Sequence, residues 1–169
     1  VGTGEGLLEW KRNTNTTTFL QYSDKNGNPL PEKEEVSSIV IDRNDRIWAT
    51  TISHGIIVLG KNRSLLKQIS NTTPGKGSVK LKGVYYLLVG PDGGIWASGR
   101  NGISKIDPQN FEVDNFENSP LARFDTVTCG TMLFTDKDNL WIATNIGVFH
   151  YNLVTGAIDE YTARDGLAA

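Results

Sequence analysis

The chain has 169 residues, among them 18 Gly and 6 Pro, and a formal net charge of −2. Hydrophobic residues at 38% and charged residues at 21% exclude a disordered or fibrous chain, and no uncharged apolar run approaches the ~20 residues of a membrane-spanning helix. The small negative charge with scattered Lys and Arg excludes an electrostatic nucleic-acid binder, and the single Cys129 excludes a disulfide framework or a multi-cysteine zinc site.

Val1 to Trp10 lack the basic start and apolar stretch of a signal peptide. They read instead as the back half of a phrase that recurs downstream. Gly2-x-Gly4-x-Gly6 is no dinucleotide loop, because a strand rather than a helix follows it. An aromatic alternating with polar residues predicts a strand from Phe19 to Tyr22. In the polar connection after it, Asp24-x-Asn26-x-Asn28 with Glu35 imitates a calcium-loop ladder. Pro29 stands where that loop needs Gly and no helix flanks it, so no metal site is expected.

The first full copy of the phrase runs from Val36 to Leu59. It has an apolar run, a turn at Asn44-Asp45, the pair Ile47-Trp48, a polar connection with His54, then Gly55 and a second apolar run. Leu65 to Ile69 supplies a fourth strand. The second copy has Val84 to Val89, the turn Pro91-Asp92-Gly93-Gly94, Ile95-Trp96 and a run to Ile106, with a fourth strand predicted from Phe111 to Phe116. The third runs from Val127 to Tyr151 through Lys137-Asp138-Asn139 and Leu140-Trp141, with a fourth strand from Ile158 to Tyr161.

Trp48, Trp96 and Trp141 recur at intervals of 48 and 45 residues, the mark of a repeat architecture. The runs are too short and too β-branched for helices. Four antiparallel strands per ~40–50 residues form a propeller blade, whereas a β-solenoid has shorter repeats and parallel strands. The expected fold is all-β, a partial β-propeller of four-stranded antiparallel blades: a half blade and connection over 1–35, then three full blades over 36–83, 84–126 and 127–169. A closed ring takes about four to eight blades. The chain is therefore expected to be part of a longer one, or its ring to be completed by another copy in a homo-oligomer. The Trp on each second strand is expected to fill the wedge between sheets as blade core, so that truncation costs about 3–5 kcal/mol.

Catalytic residues, metal ligands and cofactors are not expected. His54 falls in the second-to-third-strand connection and His150 in a third strand, and no His-x-x-x-His spacing or Gly-x-Ser-x-Gly elbow is present. Cys129 lies in an apolar first strand and is expected to be a buried, inert thiol. Asp42, Asp45, Asp136 and Asp138 sit in hairpin turns, where Asp caps its own backbone. Binding is easier to place. The second-to-third-strand connections (51–54, 98–101, 143–146) and the connections between blades (22–35, 70–83, 117–126) emerge on one face of such a fold. A neutral sugar needs directional hydrogen bonds, and His54, Arg100, Asn101 and Asn145 are the candidate ligand-binding residues.

The phrases resemble the two-component regulator propeller repeat, whose pattern is roughly V-x-x-I-x-x-D-x-x-G-x-[IL]-W-[IVA]-[GA]-T-x-x-G-[ILV]-x-x-[FY]. Val36, Ile39, Asp42, Ile47, Trp48, Ala49, Thr50, Gly55 and Ile56 carry the match in one copy. Val127, Leu140, Trp141, Ile142, Ala143, Thr144, Gly147, Val148 and Tyr151 carry it in another. The middle copy departs, with Gly90 in place of the Asp and Ser98-Gly99 where Gly/Ala-Thr is usual. The resemblance implies the periplasmic sensor region of a hybrid two-component system, in which propellers precede a membrane helix and a histidine kinase. It implies an oligosaccharide ligand, and as partners the remaining blades and adjoining domains. The fragment itself is then not an enzyme. The other readings are a propeller enzyme acting on polysaccharides, a lyase or glycoside hydrolase, and a protein-interaction propeller.

Overall fold

The structure, a computed structural model, describes residues 1–23, 34–71 and 77–167. Four antiparallel sheets follow one another along the chain. The first has three strands, β1 (Gly2–Thr3), β2 (Gly6–Lys11) and β3 (Thr16–Phe19). The second holds β4 (Val36–Ile41), β5 (Ile47–Thr51), β6 (Gly55–Leu59) and β7 (Leu65–Ile69) in that order. The third holds β8 (Val84–Val89), β9 (Ile95–Gly99), β10 (Gly102–Ile106) and β11 (Val113–Asp114). The fourth holds β12 (Cys129–Phe134), β13 (Asn139–Thr144), β14 (Gly147–Asn152) and β15 (Ile158–Tyr161). Strands pair only with their sequence neighbours, and the first strands β4, β8 and β12 lie side by side. This is a partial propeller, with each blade's first strand innermost.

Two predicted strands are corrected. The last strand of the opening sheet is Thr16–Phe19 rather than Phe19 to Tyr22, because Lys11 pairs with Thr16 across a turn that holds Asn15 at φ 51°. Tyr22 lies beyond the strand and is buried between the first two sheets. Of the predicted 111–116 strand only Val113–Asp114 pairs. Phe111 and Phe116 have φ of 61° and 57°, a conformation costly for a bulky residue. Those bends turn both rings off the ladder. Phe111 packs beside Trp48, and Phe116 stacks on Trp96 at 5.3 Å.

The core lies between sheets. Trp48, Ile56 and Val58 from one sheet meet Leu87, Ile95 and Ala97 of the next. Trp96 and Ile103 in turn meet Met132, Leu140 and Phe149. Trp48, Trp96 and Trp141 occupy equivalent positions, opposite Val58, Lys105 and His150 on the third strands. Trp48 is 0% and Trp96 2% exposed. Trp141 departs from the expected core role: it is only half-buried, stacked on His150 and Tyr161 of its own sheet, because no sheet of the described residues covers that face. Hydroxyls tie the blades together. Leu87 N donates to Ser38 Oγ at 2.9 Å, and Ser98 Oγ donates to Gly130 O.

Candidate ligand face

The register puts the second-to-third-strand hairpins and the entries to the first strands at the same end of the sheets. Val36 faces Thr51, Val84 faces Gly99 and Cys129 faces Thr144. His54, Arg100, Asn101 and Asn145 all lie in those hairpins, as expected from the sequence. The loop segments 24–33 and 72–76, and with them most of the calcium-like ladder, lie outside the described residues.

Three of the four hairpins are built alike. Thr3, Thr51 and Thr144 each donate a hydroxyl to the carbonyl of Gly6, Gly55 and Gly147, at 2.9, 3.2 and 2.8 Å. Each also accepts a loop amide, from Glu5, His54 or Ile146. The repeat's threonine is thus the lock of its hairpin. The middle blade has Gly99 instead, and a Cβ there would sit 1.8 Å from Gly83 O. The entry to β8 closes on its hairpin through backbone bonds, as the entry to β12 does where Asn145 N donates to Thr128 O at 3.1 Å. Arg100 N donates to Gly83 O at 3.1 Å, and Lys82 N donates to Arg100 O at 3.0 Å.

The four predicted residues differ in what they leave free. Asn101 Nδ2 donates to Asp125 O at 2.8 Å, and Asn145 Oδ1 accepts Thr128 N at 3.0 Å, so both amides hold neighbouring connections in place. His54 Nδ1 lies 2.7 Å from Glu34 Oε2, and Ser53 N donates to Glu34 Oε1 at 2.6 Å. Glu34 is buried. Burial alone would raise its pKa, but the bonds from His54, Ser53 N and Thr51 outweigh it and hold the carboxyl below its ordinary range. Burial, with Glu34 nearby, pushes the Tyr22 hydroxyl up. Arg100 is exposed, and its guanidinium makes no hydrogen bond or ion pair among the described residues. Sequence reading missed Glu34 as the partner of His54 and Lys82 as the neighbour of Arg100; no motif signalled either.

The opposite end of the sheets carries an open groove of about 600 Å³ lined by Asp42, Arg43, Asp92, Lys105, Asp107 and Glu112. Several of its polar groups have partners: Lys105 pairs with Asp92, Arg43 donates to Pro91 O at 2.6 Å, and Asp42 accepts from Arg46 and Trp48. Cys129 is fully buried and burial pushes its thiol up to about 12, which fits the inert thiol expected. Among the described residues no group of His, Cys, Asp and Glu is placed to hold a metal ion. No helix of the described residues is long and apolar enough to cross a membrane.

No family model and no curated protein matches the chain. Solved structures do. The extracellular domain of the hybrid two component system BT4673 from B. thetaiotaomicron superposes with a TM-score of 0.73 at 19% identity, over 95% of this chain and 22% of that one. The corresponding domain of BT3049 from the same organism gives 0.65 at 18%, over 94% and 21%. Virginiamycin B lyase from Staphylococcus aureus gives 0.64 at 18%, over 94% of this chain and 49% of the lyase. These likenesses establish the propeller fold. The chain spans about a fifth of the length of the two-component domains it matches.

Proposed function

We propose that this chain is part of the extracytoplasmic sensor propeller of a hybrid two-component system, and that its hairpin face takes part in reading an oligosaccharide. The reading is carried by one coincidence. The repeat pattern resembles that of two-component regulator propellers, and the extracellular domains of two such systems superpose on 94–95% of the chain. The ordered hairpins support a binding role, since rigid blades present polar loop groups with little to reorganise. A bound sugar shifts an equilibrium only by its differential affinity for two states. Stiff blades make packing against an adjoining domain the variable that differs. The test is calorimetric titration of the chain with a panel of oligosaccharides, alongside the gene sequence downstream. Saccharide binding together with a following membrane helix and kinase supports the reading. Absence of both a membrane helix and a kinase from the same reading frame overturns it.

A second reading is a propeller enzyme. It is favoured by the buried Glu34 carboxylate bound to His54, a pair suited to orienting an imidazole, and by the likeness in fold to a lyase. Turnover of a polysaccharide that His54→Ala abolishes without lowering the melting temperature would establish it.

A further inference from the structure

We draw no further inference here: the strongest candidate, the open groove between the turns of the second and third sheets where Asp107, Glu112 and Asp114 gather, is an acidic cluster with no buried, unpartnered polar side chain among the described residues that line it, so nothing there points to a ligand.

Discussion

The carboxylate of Asp42 accepts Trp48 Nε1 at 2.8 Å, Arg46 Nε at 2.6 Å, and the amides of Asn44 and Arg46. One buried side chain therefore closes the first hairpin and fixes the core indole. Gly90 takes its place in the next blade, and there Trp96 Nε1 is buried without a partner. Asp42→Ala is expected to cost about 2–4 kcal/mol in urea unfolding, because it strands an indole N–H and a guanidinium. A cost under about 0.5 kcal/mol would contradict that role. Asp42 and Glu34 also contribute to the acid limb of stability. At Asp42 burial raises the pKa, but the bonds from Trp48, Arg46 and Asn44 outweigh it, so both carboxyls sit below their ordinary range when folded. A lowered folded pKa adds stability above the unfolded-state value and loses it as pH falls through the folded one. The melting temperature is expected to hold between about pH 7 and 5 and to drop below about pH 4, with a shallower drop in Asp42→Asn. A midpoint that rises on acidification would refute the assignment.

At the scale of the hairpin, one repeat position does opposite things in different blades. Thr144 locks its turn by donating to Gly147 O and accepting Ile146 N, so Thr144→Ala is expected to cost about 1 kcal/mol. Its counterpart Gly99 admits the carbonyl of Gly83. Restoring the repeat's threonine there, Gly99→Thr, is expected to destabilise by roughly 1–3 kcal/mol rather than stabilise, because the backbone of β8 must retreat. Denaturant unfolding of the two variants checks the contrast. If Gly99→Thr raises the midpoint, the close contact of β8 with the hairpin is not what holds this blade.

For the whole molecule, the value of each Trp depends on what lies beyond its sheet. Trp48→Ala is expected to cost about 3–5 kcal/mol, and Trp141→Ala under about 2 kcal/mol, in melts of this chain. Equal costs would mean that Trp141 is covered in solution. The uncovered faces are apolar at both ends, with Leu133 58% exposed beside Trp141 and Tyr161, and Trp10 and Phe19 open on the first sheet. Surfaces of this kind favour association. Sedimentation is expected to show mass rising with concentration, and Leu133→Lys to suppress the rise; a monomer throughout would show that the end faces do not self-associate.

The strands Val84–Val89, Leu65–Ile69 and Ile158–Tyr161 were legible residue for residue, and so was the equivalence of Trp48, Trp96 and Trp141. Strand period, turn chemistry and repeat spacing are local properties, written within a few residues of where they act. The common face of His54, Arg100, Asn101 and Asn145 followed from the same periodicity, since antiparallel order alone decides at which end a hairpin emerges. What the local pattern could not carry was any contact between distant segments. Glu34 meets His54 across 20 residues. Phe111 and Phe116 leave their strand to cover indoles, against the preference of their own backbone. Gly99 reads as a flaw in the repeat until the carbonyl of Gly83 is found where a side chain would be. Periodicity built the blades, and only their packing against one another decided which side chains are locks, which are core, and which are left free to bind.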